Sequence, residues 1–166
     1  DRVTFEGTYY RTEDARNRPR PLQPGGPRIL VGGGGEQRTL RLVARYADAC
    51  NLHGEPERIR RKIDVLHRHC EEVGRDPATI VLSIEAVMAL AADDASVPQV
   101  RSLAEKRFGV PEFGLHEGGL IGTPPAVVGR LGELVEMGFG QIVLFTHDRC
   151  SDETLELLAA EVIPRL

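Results

Sequence analysis

Arg28-Ile29-Leu30-Val31-Gly32-Gly33-Gly34-Gly35-Glu36-Gln37-Arg38-Thr39-Leu40-Arg41-Leu42-Val43-Ala44-Arg45-Tyr46-Ala47 is the stretch on which the fold turns. A short apolar run, Arg28 to Val31, stops at consecutive glycines, and Leu40, Val43, Ala44 and Ala47 then recur at helical spacing. The order is strand, tight loop, helix. Outward from it the pattern repeats. Ala49 to Leu52 is a second apolar stretch, followed by Gly54 and by Pro56, which suits the first turn of a helix. That helix presents Ile59, Ile63, Leu66, Cys70 and Val73 on one face, and Gly74 closes it as a left-handed C-cap.

Ile80 to Ala92 is the longest apolar run and predicts a buried strand. A weaker helix follows over Pro98 to Arg107, then a Gly-rich loop from Gly109 to Gly122. Thr123 is placed to cap a helix with Pro124 in its first turn and Val127, Val128, Leu131, Leu134 and Val135 as its buried stripe, up to Gly138. Gln141 to Phe145 predicts the last strand, and Ser151 caps a closing helix. Continuous apolar strands alternating with helices belong to parallel sheets covered by helices, so the class is α/β with four βα units. Half of an eight-stranded barrel and a small open doubly wound sheet both fit this string.

Composition narrows the function. The chain is 41% hydrophobic and 28% charged, and its formal net charge of -4 is spread over interleaved acids and bases. No basic stripe invites nucleic acid or an anionic membrane, and no apolar run is long enough to span one. A cytosolic protein acting on a small-molecule substrate is expected. Cys50, Cys70 and Cys150 match neither a disulfide framework nor a zinc site, and reduced thiols are expected. The opening residues 1–27, rich in Arg, Pro and Gly, read as a lead-in loop entering from something upstream, with residues 28–166 as the folded unit.

In a parallel α/β fold, ligands sit at the carboxyl ends of the strands, which here are Gly32 to Arg38, Asn51 to Gly54 and Thr146 to Arg149. Gly32, Gly33, Gly34 and Gly35 let the backbone approach a ligand, and the following helix offers free N–H groups and the positive end of its dipole, a combination that binds phosphate. Arg38 and Thr39 add a cation and a hydroxyl. The glycines serve equally well as a permissive turn. A P-loop is excluded because Glu36-Gln37-Arg38 stands where Gly-Lys-Ser/Thr is needed, and the dinucleotide fingerprint fails at Gln37.

Asn51 and His53 can reach the same phosphate or cap a loop. His67 and His69, two apart on a helix, diverge, so no metal site is expected there. His147 and Asp148 end the last strand, and His116 and Glu117 suit either a substrate lid or a solvated loop.

The run from Pro27 to Leu52 resembles the central segment of luciferase-like oxidoreductases, particularly the branch dependent on coenzyme F-420. Phe5-Glu6-Gly7 with Tyr9-Tyr10, Gly122-Thr123-Pro124 and Glu161-Val162-Ile163-Pro164-Arg165 are similar to other parts of that family. The resemblance implies the C-terminal half of a (β/α)8 TIM barrel, with the first four units missing or supplied by a homo-oligomer. It implies a deazaflavin cofactor, coenzyme F-420, or alternatively FMN in a monooxygenase of the same superfamily. The cofactor phosphate then falls on Gly33, Gly34 and Gly35, with Asn51, Leu52 and His53 beside it. Ring and substrate would rest largely on the absent half, so no catalytic acid or base is named. A non-catalytic phosphate-binding module is the reading from a different class.

Overall fold

A computed structural model describes residues 2–54, 56–109 and 119–166. His116 and Glu117 lie outside the described residues. Where a lead-in loop is expected, the chain instead forms an antiparallel hairpin, β1 (Val3–Glu6) and β2 (Arg11–Ala15). Its turn is closed by Gly7 N–H donating to the Tyr10 carbonyl at 2.9 Å. The polar composition concealed these strands, because a hairpin with both faces in solvent needs no alternation of apolar residues.

The main sheet is parallel. β3 (Leu30–Gly32) pairs with β4 (Ala49–Leu52), β4 with β5 (Val81–Leu90), and β5 with β7 (Phe139–Thr146). A further strand, β6 (Leu120–Gly122), stands within the stretch expected to be only loop. Met88 pairs with Leu120 on one side and Thr146 on the other, so β6 continues the β4 side of β5 beyond the point where β4 ends. Three residues are too few to show a period, which is why β6 was invisible in the sequence.

Side chains alternate along β5. Ile84, Ala86, Met88 and Leu90 enter the clusters packed by α1 (Thr39–Tyr46), α2 (Pro56–Val73) and α4 (Pro124–Glu136). Val87 and Ala89 face the other way and are covered by Val100, Ala104 and Phe108 of α3 (Val97–Phe108). On that second face Glu85 stands exposed, although Ser83 before it is completely buried and accepts from Asn51.

Capping follows the sequence in part. Ser151 accepts from Thr154 N–H at the start of α5 (Asp152–Leu157), and Gly74 (φ +68°) and Gly138 (φ +94°) adopt left-handed conformations where helices end. Thr123 occupies the N-cap of α4 without making a side-chain cap bond, so Pro124 and burial of Val127 and Leu131 set that boundary. Leu40, Val43, Ala44 and Ala47 of the first expected helix are all completely buried.

Candidate functional site

The four glycines leave the end of β3 and lead to the start of α1, but each meets different surroundings. At Gly32 a Cβ would find nothing within 4 Å, whereas Gly33 holds φ +118° and donates its N–H to the Asn51 carbonyl at 3.2 Å. A Cβ on Gly34 would lie 2.2 Å from Nζ of Lys62, and one on Gly35 2.8 Å from Oγ1 of Thr39. Two of the four therefore make room for neighbours within the protein, and Gly32 alone opens on free space.

The loop has the electrostatic character expected of an anion site. Among the described residues, the N–H groups of Gly34, Gly35, Glu36 and Gln37 have no acceptor. The N-cap of α1 is Arg38, which supplies no side-chain cap bond, and its first turn holds no acidic residue. Orphan donors at an uncapped helix start carry partial positive charge. The Arg38 side chain is exposed at this end.

Three residues of α2 fasten the loop. Arg61 reaches the Glu36 carboxylate at 2.9 Å, and Nε2 of His69 lies 2.9 Å from the Glu36 carbonyl, while His67 is exposed. Lys62 is 3% exposed and donates from Nζ to the His53 carbonyl at 3.0 Å, bridging the glycine loop and the β4–α2 loop. Burial and then the charge of Arg58 lower its pKa, with Glu36 and Cys50 opposing. Burial in turn pushes the Cys50 thiol up to about 11, with Lys62 opposing.

Sequence reasoning missed Lys62, although it lies three residues after Ile59 and four before Leu66, on the buried stripe itself. Asn51 is buried and donates from Nδ2 to Oγ of Ser83 at 3.2 Å, a partner also missed. Leu52 belongs elsewhere: its side chain is completely buried in the core with Leu40 and Ile59, because strand alternation turns it away from Asn51. Only its backbone can line the site.

The luciferase-like monooxygenase profile matches residues 1–108 of this chain, a span that contains the hairpin, the glycine loop and α2. The chain belongs to the luciferase-like monooxygenase family. No curated protein sequence matches it. Among solved structures, it resembles the coenzyme F420-dependent tetrahydromethanopterin reductase of Methanopyrus kandleri, with 19% identity, a TM-score of 0.74, and coverage of 98% of this chain and 57% of that one. An F420-dependent secondary alcohol dehydrogenase gives 17% identity and a TM-score of 0.77, covering 99% and 56%. The monooxygenase RslO1 of Streptomyces bottropensis gives 21% and 0.78, again covering 99% and 56%. At such identities the likeness is one of fold. The chain spans a little over half the length of each of these structures.

A second polar cluster of this luciferase-like chain ends β7, at the carboxyl end of the parallel strands, as the glycine loop does at β3. Asp148 accepts from the hydroxyls of Ser151 at 2.5 Å and Thr154 at 2.6 Å, while Arg149 and Cys150 hold left-handed φ values of 65° and 60°. Burial alone would raise the Asp148 carboxyl, but the hydroxyls of Ser151 and Thr154, then His147 and Thr146, hold it well below the usual carboxylate range. His147 Nδ1 and Asp148 Oδ1 are buried without a partner among the described residues.

Clefts are distributed differently. One of about 490 Å³ lies between α2 and α4, floored by Ile59, Ile63 and Leu134, away from the glycines. Another of about 530 Å³, lined by Glu36, Glu57, Arg58 and Arg61, opens beside the loop. The orphan N–H groups favour the glycine loop as the ligand site, since the first cleft sets its arginines, Arg60 and Arg130, among the acids Asp64, Glu133 and Glu136. Cys50 and Cys70 are buried, Cys150 is exposed, and all are free thiols. No helix among the described residues is long and apolar enough to cross a membrane.

Proposed function

We propose that residues 28–166 supply the cofactor-phosphate half of a coenzyme F-420-dependent oxidoreductase, as four βα units of a (β/α)8 barrel, with residues 1–27 leading in. The observation that carries this reading is the run of unpaired N–H groups from Gly34 to Gln37 at the uncapped start of α1. Gly32 provides open approach, Gly33 the turn, and Asn51 fixes the turn by accepting from Gly33. Arg38 and Thr39 border the helix start, and the backbone of Leu52 and His53 borders the opposite side.

When bound, the deazaflavin would supply hydride transfer to or from a small organic substrate. The chain's own contribution is to bind and orient through the phosphate, leaving ring and substrate contacts to four preceding units or a second copy. Such a partner has a place to attach, because among the described residues β3 pairs only with β4 and β7 only with β5. A cytosolic setting suits this chemistry.

FMN is the second reading, favoured by the likeness to a monooxygenase and to a Baeyer–Villiger enzyme whose structure holds FMN. Titration of the chain with F-420, FMN and riboflavin, followed through the amide signals of Gly33 to Gln37, tests the proposal. Saturable shifts with F-420, and none with riboflavin, are expected. Shifts with FMN alone would select the second reading, and silence with both would remove the phosphate role.

A further inference from the structure

A buried cation against the glycine loop comes from the next helix rather than from the loop's own sequence. Lys62 stands on the inward stripe of α2, is 3% exposed, and lays its Nζ where a Cβ of Gly34 would be, at 2.2 Å. An ammonium has three donors, and one of these is used, on the His53 carbonyl at 3.0 Å. No carboxylate pairs with it among the described residues, since the nearby Glu36 is held by Arg61 at 2.9 Å. A charge buried without a counter-ion is costly, and an arriving anion is the partner that would remove the cost.

Its position places the anion at the loop. The amine lies between the two loops that follow β3 and β4, on the side from which Gly34 has no side chain to shield it. The unpaired N–H groups of Gly34 to Gln37 belong to the same loop. We propose that Lys62 is the cationic anchor of this site, neutralising a phosphate group held on the glycine-loop amides. The inference rests on the phosphate reading of the loop and adds a buried charge to the exposed one of Arg38.

A merely structural Lys62 would tie the β4–α2 loop through its bond to His53 and contribute nothing to anion affinity. Lys62→Gln separates the roles, because it keeps a donor for the carbonyl and removes the charge. Lys62→Met removes both, and Lys62→Arg keeps the charge. Each variant of the chain is titrated with inorganic phosphate, read through the amide signals of Gly33 to Gln37.

Loss of one charge-assisted hydrogen bond predicts that Lys62→Gln and Lys62→Met bind about tenfold more weakly, with Lys62→Arg closer to the parent. The Lys62 side-chain signals of the unaltered chain provide a test that needs no variant: they must shift as phosphate is added. Parent-like affinity in both neutral variants, or unmoved Lys62 signals while the loop amides respond, overturns the role of Lys62 and leaves the phosphate loop standing. No response from any signal of the unaltered chain overturns both.

Discussion

Gly33 is the residue whose conformation a side chain tolerates least in the loop, because φ +118° lies outside the regions open to L-residues. Gly33→Ala should destabilise the chain by about 1–3 kcal/mol, measured by urea unfolding, since backbone strain of this kind costs that much. An unchanged midpoint would mean that the turn relaxes freely. Asp148 makes a prediction with a sign. Its folded pKa is depressed, so its carboxylate contributes stability that is present above the unfolded value and lost as pH falls through the folded one. Asp148→Asn should therefore be less stable than the parent at about pH 7, and the gap should narrow by about pH 3. An equal gap at both pH values would reject this linkage. The glycines were legible at this scale by identity alone. Which of them faces open space and which faces Lys62 was not, since that depends on a helix beginning more than twenty residues later in the chain.

At the scale of elements, α2 both covers the sheet and holds the loop. Ile59, Leu66 and Cys70 bury against the core, while Arg61, Lys62 and His69 reach Glu36, His53 and the glycines. His69→Ala removes one tie to the Glu36 carbonyl without touching the core. Amide exchange at Gly33 and Leu40, whose N–H groups donate to the Asn51 and Gly35 carbonyls at the two ends of the loop, should rise on the order of fivefold, with the thermal midpoint nearly unchanged, as expected for loss of one partly exposed hydrogen bond. Unaltered exchange would show that Arg61 and Lys62 suffice. Apolar spacing revealed α1, α2, α4 and β5, because each buries one continuous stripe or run. Spacing failed for β1, β2 and β6, which are either solvated on both faces or too short.

The whole molecule has a parallel sheet whose outer strands, β3 and β7, each lack a second partner among the described residues. Ile29 and Leu30 are 51% and 49% exposed at one edge, and Phe145 is 37% exposed at the other. Unpaired edges with apolar side chains recruit further strands. The chain by itself should therefore associate as its concentration rises, which sedimentation velocity over a hundredfold range would detect, on the order of micromolar concentrations being enough for an aggregation-prone edge. A compact monomer throughout that range would argue that α3 and the exposed Glu85 protect the open face sufficiently.

Local and periodic information alone determined the α/β class, the order of strand, glycine loop and helix, and the completely buried stripe Leu40, Val43, Ala44 and Ala47, because burial of a helix face repeats at a spacing the chain itself displays. Tertiary structure decided the rest. It brought Lys62 against Gly34, set Ser83 opposite Asn51, sent Leu52 into the core and turned Val87 and Ala89 toward α3. Each of these follows from strand register and helix packing between distant segments, and no single stretch of sequence carries the geometry of its neighbour.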